Sequence, residues 1–428
     1  MLYYSKTADT ISSDELKNII FEILEKLGPK KKVLIIPPDF TRFHSRAGEI
    51  TEYAYQFYGN IVTDILPALG THFPMKEEEI KKMFGGIPLN LFREHDWRND
   101  VVDIGEVPAE FMSKVSEGKI NQPFPVQINK LLINGNFDLI LSIGQVVPHE
   151  VIGMANYNKN IFVGTGGAEG INSSHFLGAV YGMERIMGKA DTPVRAVLNY
   201  ASDNIANHLP IVYIQTVLSR GDDGEMKLNG VFSGDDVECF YAAAELSLKV
   251  NFEEVEKPLK KVVVYLNSEE FKSTWLGNKA VYRTRMAIAD GGELIVLAPG
   301  LKEFGEDKEI DRLIRKYGYT TTPEILEAVK SNNDLKNNLS AAAHLIHGSS
   351  ENRFKITYCP GNLSKKEIES VNFNYADLTE MQKKYNPEKL KDGYNTMPDG
   401  EEIFFISNPA IGLWKAGGTS SPASLPPK

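Results

Sequence analysis

The stretch "KKVLIIPPDFTR", Lys31 to Arg42, is a short aliphatic run cut off by two prolines, and similar runs recur along the chain between segments of helical spacing. Before it stands "SSDELKNIIFEILEKLG", with serines and acids at its start, apolar residues at helical spacing and a stop at Gly28. Those are the start and stop signals of a helix. Further on, "EITEYAYQFYGNIVTDILPALG" reads as one helix, and "HFLGAVYGMERIMG" as another. "VVDIGEV", "VQINKLLI", "DLILSIGQVV" and "NIFVG" read as strands. Strands alternating with helices imply an α/β fold with a mostly parallel sheet covered on both faces.

Near "LKVNFEEVEKPLKK" the chain turns charged, and the pattern restarts with strand "KVVVYL", a helix around "GNKAVYRTRMAIAD", and strands "GELIVLAPG" and "FKITYCPG". At 428 residues the chain exceeds one ordinary core. The expectation is a larger N-terminal α/β domain over residues 1–256 and a smaller C-terminal α/β domain over 257–402. Residues 403–428 would carry the end of "EEIFFISNP" back toward the first domain or the cleft and finish in a disordered Gly/Ser/Pro-rich tail. An active-site cleft between the domains, at the carboxyl ends of the strands, would hold a ligand.

A net charge of −10 disfavours nucleic acid or an anionic membrane as partner. Cys239 and Cys359 make neither a disulfide framework nor a thiolate metal cluster. No apolar run approaches the roughly 18–20 residues that cross a bilayer, and the first residues lack the features of a signal peptide. A cytoplasmic enzyme is the expectation, with its oligomeric state open.

Several residues could carry chemistry. Asp39, Thr41 and Arg42 follow a strand directly, where an arginine can grip a carboxylate or phosphate through two parallel hydrogen bonds and Asp39 can orient a cation. The same pair could merely fix a turn. His72 in "PALGTHFPM" could act as a general base or be a loop residue. His95 in "REHDWRND" reads as part of a solvated turn. His344 and His347 stand at metal-binding spacing without a third ligand nearby, and read as helix-end residues. The stretch "VVPHEVIGMANYNKNIFVGTGGAEGINSSH" sets His149, Lys159 and His175 around a glycine cluster. Its "GTGGAEG" departs from the dinucleotide fingerprint, because Glu169 stands where the last glycine belongs.

Taken together, "DFTR", "LGTHFPM", and then a histidine, a lysine ten residues on and a histidine sixteen further strongly resemble the nickel-dependent lactate racemase family. The likeness reaches "WLGNK" in the second domain. The resemblance implies a racemase or epimerase of a 2-hydroxy acid, such as lactate or a larger, polyhydroxylated aldonate epimerised at C2. It implies a nickel-pincer nucleotide attached covalently to Lys159, with His175 as the nickel ligand. His72 and His149 resemble the two general bases that serve opposite enantiomers during transient hydride transfer to the cofactor. Arg42, supported by Asp39, resembles the substrate-carboxylate arginine. Lys279 and Trp275 match second-domain positions that bind substrate. The partners implied are the small-molecule substrate and cofactor-biosynthesis proteins, so a purified apo sample would lack the cofactor.

The sequence departs from the lactate enzymes at "TRFHSRAG", where proline is usual after the arginine motif, and at Leu276, where they carry glutamine. His44, Ser45 and Arg46 could reach a hydroxylated acid, or point away and only shape the loop. Two other classes remain: an NAD-dependent hydroxyacid dehydrogenase and a non-catalytic sugar-acid binding protein.

Overall fold

The computed structural model describes residues 1–221, 225–410 and 412–417. It divides into two compact units, one of Met1–Leu177 with Ile186–Asn251, the other of Gly178–Arg185 with the described residues from Phe252 onward. Both are α/β, with parallel strands dominating each sheet.

In the first unit six strands lie in the order Leu2–Thr7, Met226–Gly234, Ile211–Arg220, Leu139–Gln145, Val33–Ile36 and Val62–Ile65. The last four are mutually parallel, and the first two run antiparallel at one edge. All four residues of Val33–Ile36 are fully buried, as a central strand covered on both faces requires. One face carries helix Ser13–Leu27, whose Leu16, Ile19, Ile20, Ile23 and Leu24 sink into the sheet. Each such side chain contributes roughly 1.5–3 kcal/mol. Ser12 and Glu15 close a reciprocal cap at the start of this helix, and Gly28 ends it at φ 73°.

The second sheet has the order Asn374–Tyr375, Lys355–Pro360, Ile288–Ala298, Leu259–Tyr265, Glu402–Ile406 and Gly393–Thr396, all parallel except the last strand. Val263, Ile295, Leu297, Cys359 and Phe405 share one of its core clusters. Both cysteines are free and buried. No helix among the described residues is long and apolar enough to cross a membrane.

Four sequence expectations are corrected. Glu402–Ile406 does not return to the first domain: it pairs with Leu259–Tyr265 inside the second sheet, where its buried residues Ile403 to Ile406 fit a central position. The segment after it, expected in the tail, contains a short strand, Trp414–Ala416, paired with Glu253–Val255, while residues 418–428 lie outside the described residues. "NIFVG" is not a strand but a π-helical turn, Asn160–Gly164, because a short run buried on all sides carries no period to separate the two. The expected helix "EITEYAYQFYGNIVTDILPALG" breaks at Gly59, φ 55°, and Val62–Ile65 forms the edge strand beside Val33–Ile36.

Helix Ala47–Tyr58 lies so close to helix Glu77–Phe84 that a Cβ on Gly48 would stand 2.0 Å from the carbonyl oxygen of Met83. Alanine gains about 1 kcal/mol of helix propensity over glycine. Overpacking costs about 1–3 kcal/mol, and a backbone atom gives way less readily than a side chain. The clash wins: Gly48→Ala should lower stability by about 1–2 kcal/mol. Thermal unfolding followed by circular dichroism checks this, and a midpoint equal to or above wild type would refute the packing argument.

Candidate active site

The site grows from the carboxyl ends of two neighbouring parallel strands. Beyond Val33–Ile36 and Val62–Ile65 the pairing continues through a bridge between Pro38 and Ala68, with Ala68 N–H donating to Pro37 O at 2.8 Å. This brings Asp39 against His72: Asp39 Oδ2 lies 2.6 Å from His72 Nδ1. The other carboxylate oxygen accepts from the Thr41 backbone N–H at 3.2 Å and the Thr41 hydroxyl at 2.5 Å, capping the short helix Phe40–Ser45 that carries Arg42. Burial would raise the Asp39 pKa. The charges and hydrogen bonds of His72, Thr41 and Arg42 outweigh it and hold the carboxyl below its ordinary 3.8.

Gly70, at φ 56°, turns the His72 loop so that its N–H donates to Gly164 O at 2.8 Å. A Cβ on Gly164 would meet that of Ala68 at 2.7 Å. The loop is thereby fastened to the π-helical turn that follows Lys159. Such turns are frequent at functional sites.

Lys159 keeps a little exposed surface, and its ammonium meets no hydrogen-bond or salt-bridge partner among the described residues. Burial pushes its pKa down to about 8; the Arg42 and Arg195 charges push the same way, and Glu150 and Asp39 oppose them. Roughly a tenth of the amine is then neutral near pH 7, far more than for an ordinary lysine.

His175 sits in helix Ala168–Tyr181. Its Nδ1–H donates to Ile171 O at 2.7 Å, which leaves the Nε2 lone pair open. Burial, then the Lys159 charge, lowers its pKa to about 4, so the ring is neutral. A neutral imidazole with one nitrogen fixed by a carbonyl is the form that ligates metals.

His149 lies in a tight hairpin, Pro148–His149 paired with Gly153–Met154. Its Nδ1 accepts from Val151 N–H at 3.1 Å, so the neutral ring carries its proton on Nε2. Glu150 Oε2 stands 3.9 Å from the same Nδ1. Sequence reasoning missed Glu150, whose charge reaches both Lys159 and His175. Its place beside His149 was the available signal.

Thus Asp39, Arg42, His72, Lys159 and His175 form one electrostatically coupled group, with His149 joined through Glu150. Lys279 and Trp275 belong to the second unit. There Trp275 packs on His344 with ring centroids 4.4 Å apart, and Lys279 opens helix Lys279–Thr284 with its ammonium 5.7 Å from the Phe271 ring centroid. His344 is buried between the hydroxyls of Tyr282 and Tyr319, each at 2.8 Å.

Two readings of the sequence change here. His95 is 4% exposed, not solvated: it is bonded to Gly166 O and to Asn129, and braces the glycine turn. Ser45 is fully buried, and Arg46 bonds Glu49 and Ser13, so neither is spent on a ligand. The turn "GTGGAEG" follows a π-helical turn rather than a strand, which removes the strand-to-helix frame that a dinucleotide fingerprint needs.

Among the described residues no three His, Cys, Asp or Glu side chains converge as a metal site. A metal held through His175 would draw its other donors from a bound group. The free Nε2 of His175 and the unpartnered, partly neutral amine of Lys159 fit a metal-bearing group tethered to the lysine.

Residues 8–186 match the lactate racemase N-terminal domain family. A crystal structure of a Thermotoga maritima protein, a structural-genomics target, superposes with a TM-score of 0.82 at 25% identity, over 96% of this chain and 100% of that one. The lactate racemase apoprotein from Thermoanaerobacterium thermosaccharolyticum superposes with a TM-score of 0.72 at 17% identity, over 95% of this chain and 93% of that one, a likeness of fold. No curated protein matches the chain. Residues 8–186 therefore carry a lactate racemase N-terminal domain.

The Asp39–His72 pair predicts an acid-dependent stability difference. A carboxyl with a depressed folded-state pKa contributes stability that is complete above its unfolded value and is lost as pH falls through the folded one. Asp39→Asn should cost about 1–2 kcal/mol near neutral pH, and the gap to wild type should close below pH 3.8. Urea unfolding at several pH values measures this; a gap that widens in acid would contradict the pairing.

Proposed function

We propose that this protein is a racemase or epimerase of a 2-hydroxy acid that works with a nickel-pincer nucleotide tethered to Lys159 and ligated through His175. The observation that carries the reading is the open Lys159 amine lying within electrostatic reach of a neutral His175 whose Nε2 is free. The bound group supplies a reversible hydride acceptor; the chain's own residues do the rest. Arg42, whose side chain is half-buried and has no hydrogen-bond or ion-pair partner among the described residues, holds the substrate carboxylate.

The two histidines are set in complementary states. His72 directs Nδ1 at Asp39, which leaves Nε2 as a lone pair able to take a hydroxyl proton. His149 accepts the Val151 N–H at Nδ1, so it can give a proton only as the imidazolium, the form that the neighbouring Glu150 carboxylate favours. One enantiomer would lose its hydroxyl proton to His72 while the other regains a proton from His149. After a turnover the roles are reversed, and proton exchange with water resets them.

Intact and peptide mass spectrometry on protein co-produced with cofactor-making proteins tests the tether. A nickel-containing adduct is expected on Lys159 and absent from Lys159→Ala; an unmodified Lys159 under verified cofactor supply would refute the reading. With loaded protein and a panel of 2-hydroxy acids, His72→Ala and His149→Ala should each lower racemisation by at least roughly 10²-fold, the usual scale of a lost acid or base. Wild-type rates in both would place the proton transfers elsewhere.

A further inference from the structure

Arg195 is 1% exposed, yet it has no carboxylate partner among the described residues. Its two terminal nitrogens bond oxygen atoms of a single loop, while Nε finds no partner among the described residues. Nη2 donates to Met154 O at 2.8 Å and to Asn156 O at 3.2 Å, and Nη1 donates to Asn158 Oδ1. The plane rests 4.1 Å from the Phe240 ring centroid. Burying an uncompensated charge costs several kcal/mol, so such an arrangement calls for a return elsewhere in the molecule.

The loop it holds has an unusual backbone. Asn156 and Tyr157 are consecutive non-glycine residues in the left-handed region, at φ 67° and 57°. Strained residues of this kind persist only where surrounding contacts over-determine them. Asn158, fully buried, is gripped a second time, its Nδ2 donating to Asn199 Oδ1 at 2.8 Å and to Ser202 Oγ at 3.1 Å. Arg195, Asn199 and Ser202 are spaced four and three residues apart on helix Pro193–Asn204, so one helix face does all the holding. Thr192 anchors that helix to the hairpin, its hydroxyl donating to Ile152 O at 2.9 Å. The next residue along the clamped loop is Lys159.

We infer that Arg195 is the positioning residue for Lys159: its three-point fork, backed by Asn199 and Ser202, fixes the strained Asn156–Tyr157 turn and thereby the direction in which the lysine amine is presented. The inference deepens the tether reading, but its geometry does not depend on any bound group. A lysine in place of Arg195 would retain the charge and lose the planar fork.

The test uses the full-length chain without cofactor. A brief pulse of acetic anhydride is followed by peptide mass spectrometry, with acetylation of Lys159 expressed relative to exposed Lys114 in the same molecule, and thermal midpoints are recorded alongside. Releasing the clamp should free the amine from its enclosed position. Arg195→Lys and Asn158→Ala should therefore raise relative labelling of Lys159 roughly fivefold, the factor that about 1 kcal/mol of lost restraint represents, while Lys114 labelling stays constant. Wild-type labelling in Arg195→Lys would mean that the charge and not the fork matters, and would overturn the proposal, as would wild-type labelling in Asn158→Ala. If Arg195→Lys does not fold, Asn158→Ala decides alone, since it removes one arm of the fork and leaves the arginine. Should labelling respond while no adduct ever forms on Lys159, the tether reading fails and the positioning role stands.

Discussion

The first unit is organised around an amine that no carboxylate meets. A lysine in a protein interior ordinarily finds an acid or stays at the surface. Here Arg42 and Arg195 oppose Lys159, while Asp39 is engaged by His72 and Thr41. Such a side chain lowers stability, a cost of the kind that folds carry at functional sites and offset elsewhere. The surrounding strain points the same way: two left-handed residues precede the lysine and a π-helical turn follows it. Local rules are broken on both sides of one residue, and the rest of the first sheet is conventional enough to carry the cost.

Much of the fold could be read because burial imposes period. Helix Ser13–Leu27 shows its apolar face, its serine cap and its glycine stop in the sequence, and the structure follows each of them. Val33–Ile36 and Leu139–Gln145 are short aliphatic runs that have no alternative in a parallel sheet. The signal fails where an apolar run is short and enclosed. Ile161, Phe162 and Val163 look like a strand, but what sets their conformation is hydrogen bonding by their neighbours: Thr165 N–H donates to Asn160 O, and Asn160 itself reaches Ile143 O. Val62–Ile65 is hidden for the opposite reason, since it continues a helical pattern whose only interruption is Gly59.

The site was legible in part. Which residues are candidates for chemistry came from motif order, whereas their states come only from partners distant in sequence. Nothing in "LGTHFPM" says that His72 bonds a carboxylate 33 residues earlier, and nothing around His175 says which ring nitrogen is free. His95 shows the same gap from the other side: beside an aspartate in a polar stretch it looks solvated, yet the glycine turn folds over it and takes its proton as a hydrogen bond. Polar sequence predicts exposure only when no distant backbone needs a donor.

The complementary settings of His72 and His149 follow from two different kinds of partner, and the difference matters for the chemistry. Asp39 is an ion, and in the proposed reaction it would lie against the His72 ring that takes the hydroxyl proton. The Val151 N–H is a neutral donor fixed in a hairpin, and it favours the form of His149 that has not taken a second proton. Two identical bases would compete for the same proton inventory. In the proposed function, two bases biased in opposite senses would pass a proton in at one face of a substrate and out at the other, as inversion of a hydroxyl-bearing carbon through a planar keto acid requires. Glu150, 3.9 Å from His149 Nδ1, pulls the other way. A histidine locked in one state could serve only one direction of the proposed reversible reaction.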